Sequence, residues 1–229
     1  MVRGAKVRRL PAMDEMQRWW EQCHNTPDSY YISDYGGPSL WERMRISKIL
    51  DRGAPVLEIG VGGGRDIRHL HERGLEVHVV DIIPTAFERI KGCFERVWLE
   101  SELELLPDSY FGLAISHLVT QHIDNRTLTR QVSHVLRALR PEGVFAMQFA
   151  DGLPPVTKEH YYESLGAKQV GDVLRTPQMM KELVRQCGGR IAWISKPEPY
   201  PDNDKQWFHV HIRRGRKRWW NALFPDRRP

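Results

Sequence analysis

Val56-Leu57-Glu58-Ile59-Gly60-Val61-Gly62-Gly63-Gly64-Arg65-Asp66 is the stretch that decides the fold. Val56, Leu57 and Ile59 form a short apolar run of the kind that makes a buried strand, and beyond Asp66 the apolar residues Ile67 and Leu70 recur at helical spacing. Between strand and helix, Gly60, Gly62, Gly63 and Gly64 place four glycines within five residues, more than a plain turn requires. Glycine is needed where the backbone takes a positive φ or presses against a ligand with no Cβ in the way. A phosphate-binding P-loop ends in Gly-Lys-Ser/Thr, and Arg65-Asp66 supplies none of it. A dinucleotide loop needs its third glycine where Arg65 stands, counted from Gly60. What remains is an acidic residue followed by alternating glycines: Glu58, Gly60, Gly62 and Gly64.

The pattern continues downstream. A helix from about Asp66 to Arg73 stops at Gly74, and Leu75 to Val80 reads as a buried parallel strand that ends in Asp81. Asp81 follows the glycine loop at about the 20-residue spacing of a carboxylate that holds a ribose hydroxyl pair. It also stands at the carboxyl end of a strand, where open α/β sheets bind ligands. Pro84 opens a helix with Phe87, Ile90 and Phe94 on one face, and Arg96 to Leu99 is a short third strand. The segment Leu106-Pro107-Asp108-Ser109-Tyr110-Phe111-Gly112-Leu113-Ala114-Ile115-Ser116 leads into and through a fourth strand, followed by Leu118-Val119-Thr120-Gln121-His122-Ile123. Asp124 or Asn125 caps a helix whose apolar face is Leu128, Val132, Val135, Leu136 and Leu139. Arg140-Pro141-Glu142-Gly143 is a turn, and Val144 to Phe149 the fifth strand.

Taken together, these runs resemble the class I S-adenosylmethionine (SAM) methyltransferases, of the methyltransferase type 11/12-like group. Glu58-x-Gly60-x-Gly62-x-Gly64 is similar to their motif I, Leu106 to Ser116 to the segment leading through their fourth strand, and Val119-Thr120-Gln121-His122-Ile123 to the run after it. Arg140 to Gly143 stands where the family has Leu-Lys-Pro-Gly-Gly, and Gly112 replaces an Asp usual in the family. The resemblance implies a Rossmann-like α/β fold: a seven-stranded, mostly parallel sheet of order 3-2-1-4-5-7-6, the last strand antiparallel, with helices on both faces. It also implies SAM as cofactor, held by Glu58, Gly60, Gly62, Gly64, Asp81, Ile82, Glu100, Ser101, Ser116 and His117. Glu58 would lie near the methionine ammonium, a favourable pairing of carboxylate and cation. Glu100 and Ser101 would flank the adenine, with Glu102 as the alternative.

The flanks divide the chain into three parts: a basic arm and helical lid over 1–52, the methyltransferase domain over 53–213, and a basic-aromatic tail over 214–229. In the first part Met13, Met16, Trp20 and Cys23 form the stripe of an amphipathic helix. The aromatics Tyr30, Tyr31 and Tyr35 follow, and then a helix over about 39–51 that closes at Gly53. Residues 151–175, with Pro154-Pro155 and His160-Tyr161-Tyr162, read as a loop-rich insertion beside the substrate. Thr176-Pro177 starts a helix bearing Met180, Leu183, Val184 and Cys187, which Gly188-Gly189 ends. Ile191 to Ser195 and Trp207 to Ile212 read as the final strand pair.

At 229 residues, with 41% hydrophobic and 28% charged side chains, the chain fits one sizeable α/β domain. Cys23, Cys93 and Cys187 are scattered and odd in number, which suits reduced thiols of a cytoplasmic protein, and no spacing suggests a metal site. No secretory leader and no membrane span is expected. The net charge of +5 is unevenly spread: the ends 1–10 and 213–229 carry eleven basic and one acidic side chains, leaving 11–212 at −5. Overall basicity is therefore a poor argument for nucleic acid.

Methyl transfer from a sulfonium needs alignment above all, and a base only where the acceptor is protonated. His122, shortly beyond the end of the fourth strand and with an ordinary pKa of about 6.5, is the candidate base; a histidine that merely orients the loop is the alternative. Gln148, polar within an apolar strand, either faces the pocket or is a buried amide with its own partner. The expected acceptor is a hydroxyl of a small molecule or glycan. Alternatives are a methyltransferase of RNA or protein guided by the basic tail, or a non-catalytic SAM-binding scaffold. Residues 213–225 join cations to tryptophans, a composition that suits contact with the inner membrane face better than nucleic acid, with a tail packed on its own domain or a partner as the alternative. Nothing in the sequence bears on oligomeric state.

Overall fold

The computed structural model describes residues 13–25, 41–51, 53–152, 160–162, 172–199 and 205–215. The arm at 1–10, Tyr30, Tyr31, Tyr35, Pro154-Pro155 and the tail beyond Gly215 lie outside the described residues. So does much of the proposed insertion.

β1 (Val56–Ile59) is wholly buried because it has a neighbour on each side. It runs parallel to β2 (Val77–Asp81) with Val56 opposite Val77, and parallel to β4 (Phe111–Ser116) with Val56 opposite Leu113. Strands so enclosed must be apolar on both faces, which explains the unbroken runs in the sequence. β3 (Arg96–Leu99) continues the sheet beyond β2, and β5 (Leu139–Gly152) continues it beyond β4. The hairpin β6 (His160–Tyr162) and β7 (Asp172–Leu174) stands apart as a two-stranded sheet. β8 (Gly189–Ile194), the short β9 (Glu198–Pro199) and β10 (Lys205–Arg214) complete the chain. The order is β3-β2-β1-β4-β5-β10-β8, with β9 on the start of β10. β10 is antiparallel to both β5 and β8. With β8 and β10 as the sixth and seventh core strands, this is the expected order.

One sheet face packs Leu57, Ile59, Val80, Ala114, Phe145 and Met147 against α5 (Asn125–Ala138) and α6 (Pro177–Gln186). The other packs Val56, Val79, Leu113 and Ile115 against α3 (Arg65–His71), α4 (Thr85–Arg89) and α2 (Ile46–Ile49). α1 (Met13–Asn25) brings Trp20 to both clusters. No helix among the described residues is long and apolar enough to cross a membrane.

Gly112, the departure from the family pattern, has a steric reason. A Cβ there would lie 2.4 Å from the Cβ of Ala54. Several expected boundaries need correction: the helix opened by Pro84 ends at Arg89, short of Ile90 and Phe94, and the strand expected over Trp207–Ile212 runs from Lys205 to Arg214. The helix expected over 39–51 is broken at Arg45, whose φ is 52°, so that a helical stretch over 41–43 is separated from α2 at Ile46–Ile49. The sheet takes over the helix's polar groups: His211 Nε2 donates to the Met44 carbonyl at 2.6 Å, and the Arg45 guanidinium lies 4.6 Å from the Trp193 ring centre. β5 is longer than Val144–Phe149 at both ends. Leu139 already pairs with Phe111, and β10 pairs with it as far as Lys205 opposite Gly152.

Asp124 rather than Asn125 caps α5, its Oδ1 accepting from the Thr127 N–H at 2.7 Å. Asp124→Ala leaves that N–H without its cap and is expected to lower unfolding stability by about 1 kcal/mol, read from urea denaturation midpoints. An unchanged midpoint would refute this.

Candidate functional site

The glycine loop leaves β1 at its carboxyl end. Gly60, Gly62 and Gly64 have φ of 77°, 49° and 80°, so the alternate glycines of the motif are those held in the left-handed region. Space is also needed: a Cβ on Gly60 would lie 2.3 Å from Val119 Cγ2, and one on Gly64 2.0 Å from Ile90 Cγ2. Gly60 and Gly64 are thus where two neighbouring segments close on the loop, and Gly64 starts α3.

A cleft of roughly 990 Å³, measured out to its open mouth, lies over the carboxyl ends of β1, β2 and β4. Glu58, Gly60, Gly62, Asp81, Ile82, Glu100 and His117 line it, as does His122. Three expected cofactor residues do not line it. Gly64 lies behind the loop. Ser101 is exposed, because β3 turns at once into a 3-10 helix (Glu100–Leu105), and only its carbonyl is engaged, by Arg130 Nη2. Ser116 is buried in β4 with no hydrogen bond to its Oγ. Gln148 likewise stays out of the cleft; its Oε1 accepts from the Leu118 N–H at 3.3 Å.

The electrostatics of the cleft are uneven. Glu58 is 2% exposed, and its Oε2 has no hydrogen-bond partner. Burial first, then the nearby Asp66 carboxylate, raises its pKa well above the ordinary range. A buried carboxylate oxygen without a partner is costly and is relieved by a cation. The ammonium of SAM is such a cation, so the residues present fit that cofactor. Asp81 Oδ2 accepts from the Val61 N–H at 2.8 Å, while Oδ1 accepts from Ile82 and Ile83 at 2.7 and 3.2 Å. Asp81 therefore ties the glycine loop to the turn after β2, and with two lone pairs per oxygen it keeps accepting capacity for a hydroxyl. Burial outweighs these backbone bonds and pushes its pKa up to about 6.

Asp66 is the opposite case. Burial pushes it up, but hydrogen bonds from His117 and Arg65 outweigh this and hold it well below the usual carboxylate range. Arg65 spans the group: Nε lies 3.1 Å from Asp66 Oδ1, and Nη2 lies 3.1 Å from Asp66 Oδ2 and 2.7 Å from His117 Nδ1. At the other wall Arg130 Nη1 holds Glu100 Oε1 at 2.8 Å. His122 meets Trp20 of α1 edge-to-face, ring centres 5.2 Å apart, and its Nε2 lies 3.2 Å from Gln121 Nε2.

Sequence reasoning missed Trp20, Asp66 and Gln131 as cleft residues. Gln131 had a signal, a polar residue among Leu128, Val132 and Val135 on the buried face of α5. Trp20 had none, since an amphipathic stripe does not reveal what it covers.

If Asp81 accepts from a ribose, its raised pKa makes that binding pH-dependent. Hydroxyl donors favour the ionised carboxylate, so a ribose displaces the proton and affinity rises as pH climbs through about 6. S-adenosylhomocysteine is expected to bind about tenfold more tightly at about pH 7 than at about pH 5, measured by calorimetry. In Asp81→Asn that slope should shrink, and wild-type affinity falling with pH would contradict the assignment. The fold responds in the other direction: the stability this group contributes is fully present below about pH 3.9 and lost as pH rises through about 6.

Residues 57–147 match a family model described as a methyltransferase domain. No curated protein matches the chain. Among solved structures, it is similar to the Burkholderia thailandensis 1,6-didemethyltoxoflavin-N1-methyltransferase, which contains 1,6-didemethyltoxoflavin and S-adenosylhomocysteine. That likeness has a TM-score of 0.68 at 20% identity, over 91% of this chain and 92% of that one. A SAM-dependent methyltransferase of Methanosarcina mazei matches with TM-score 0.61 and 19% identity, over 75% of this chain and 96% of that one. The CcbJ methyltransferase of Streptomyces caelestis matches with TM-score 0.60 and 14% identity, over 85% and 95%. Residues 57–147 thus match a methyltransferase-domain model, and the strand order and the cleft agree with the Rossmann-like fold of these SAM-dependent neighbours.

Proposed function

We propose that this methyltransferase acts on a hydroxyl of a small molecule or glycan, with His122 as the base. The observation that carries the reading is the placement of His122 and Trp20 in the cleft that also holds Glu58 and Asp81. Bound SAM supplies an activated methyl on a sulfonium. Glu58 neutralises the ammonium, Asp81 accepts from the ribose, and the glycine loop admits the cofactor without a Cβ in its way. Trp20 offers an aromatic face that excludes water, and His122 takes the proton of the acceptor. The Gln121 amide at 3.2 Å donates to His122 Nε2, which keeps a lone pair on that nitrogen, and an incoming hydroxyl displaces the amide from it. The Burkholderia thailandensis neighbour, solved with a small heterocycle and S-adenosylhomocysteine together, supports a small acceptor.

The test is transfer of labelled methyl from SAM into host extract separated into small-molecule, glycan, lipid, RNA and protein fractions. Label in the small-molecule or glycan fraction supports the proposal. Label confined to RNA, lipid or protein overturns it.

A further inference from the structure

Arg175 stands between β7 and the cap of α6, and it is 1% exposed. The chain leaves the main sheet beyond Gly152 and comes back to its edge at Arg175, whose N–H donates to the Ala150 carbonyl at 2.8 Å. From that closed base the guanidinium reaches across to the loop after β4. Nη1 donates to the Thr120 carbonyl and Nη2 to the Ile123 carbonyl, each at 2.7 Å. Nε donates to Asn125 Oδ1, also at 2.7 Å. His122 lies between the two carbonyls so held.

Further supports of this loop come from β5. Thr120 Oγ1 donates to the Gln148 carbonyl at 2.6 Å, and Gln148 Oε1 accepts from the Leu118 N–H. Leu118 itself has a φ of 58°, a conformation that persists only where the surroundings hold it. Burying a guanidinium is expensive, so its use here needs a reason beyond filling space. Its rigid fork offers three fixed donor directions, which the point charge of a lysine cannot reproduce. Those directions end on a turn that a methyl-transfer site needs held, because a displacement of about 1 Å can slow chemistry about a hundredfold.

We propose that Arg175 is a positioning residue: it locks the Thr120–Ile123 turn to the base of the β6–β7 excursion and so fixes the direction of the His122 imidazole. This rests on the reading of the cleft as a SAM site and of His122 as base. The end of β7 and the His122 turn are thereby joined through Arg175.

The test uses the full chain carrying ¹³Cε1-labelled histidine, with His122→Gln assigning the His122 resonance and S-adenosylhomocysteine as the calorimetric probe. Arg175→Met removes every donor, Arg175→Lys keeps the charge without the fork, and Asn125→Ala removes one acceptor. All three are expected to bind the probe within about threefold of wild type, since Glu58, Asp81 and the glycine loop do not touch Arg175. The His122 titration midpoint should move by about half a pH unit or more in Arg175→Met, with Arg175→Lys in between and Asn125→Ala smaller in the same direction. If Arg175→Met does not fold, the other two variants decide. An unmoved His122 titration in every folded variant, whatever the loss in melting temperature, overturns the proposal and leaves the function standing. Failure of the wild type to bind the probe overturns both.

Discussion

Asp81→Ala is expected to weaken S-adenosylhomocysteine binding about a hundredfold or more. Two losses combine. The ribose loses a charged acceptor, and hydrogen bonds to charged groups contribute about 1.5–3 kcal/mol each. The glycine loop also loses its tether, because Asp81 Oδ2 holds the Val61 N–H while Oδ1 holds Ile82 and Ile83 across the gap after β2. The buried backbone donors left behind must be satisfied by a rearranged loop or stay unpaired. The fold itself should survive, since β1 and β2 remain laddered from Val56 opposite Val77 to Ile59 opposite Val80. Circular dichroism paired with calorimetry separates the two effects. A folded variant that binds within about threefold of wild type would show that Asp81 is no cofactor residue.

His122→Ala is expected to lower turnover on a hydroxyl acceptor about a hundredfold or more while leaving cofactor affinity near wild type. A positioned base contributes about 10²–10⁴-fold. The substitution leaves the binding elements at Glu58, Asp81 and the glycine loop in place. It also removes the edge-to-face contact with Trp20, so acceptor affinity should fall to a smaller extent. Rates are read from labelled methyl transfer at saturating SAM. Wild-type turnover in the variant would remove His122 as base and leave it an orienting residue beside Trp20.

Much of the central sheet was legible because its signals are local. The buried runs of β1, β2 and β4, the alternate glycines and the Thr176-Pro177 start of α6 each have a short-range physical cause, and the structure has them where the sequence put them. Features set by distant partners were not legible. Arg45 breaks the expected helix because Trp193 and His211, far along the chain, engage its neighbourhood. β5 is lengthened by β10, whose extent no pattern within β5 announces. The same division runs through the cleft. Glu58 and Asp81 follow from strand ends, whereas Trp20, Asp66 and Arg175 matter through what they meet across the fold.

Ser101 shows the limit of carrying a position over by spacing. One residue after Glu100 the chain is already in a 3-10 turn, so two adjacent residues that spacing treats alike divide between cleft and solvent. Glu100 remains in the cleft with Arg130 on its Oε1, and this pair closes the wall that Ser101 was expected to share.

Calorimetric titration of the full chain with S-adenosylhomocysteine tests the central claim most directly. The cleft predicts saturable binding of one molecule per chain, with a dissociation constant below about 1 mM, equivalent to more than about 4 kcal/mol. Absence of binding at that level, by a folded chain at neutral pH, would contradict the assignment of Glu58, Asp81 and the glycine loop to the methyl donor.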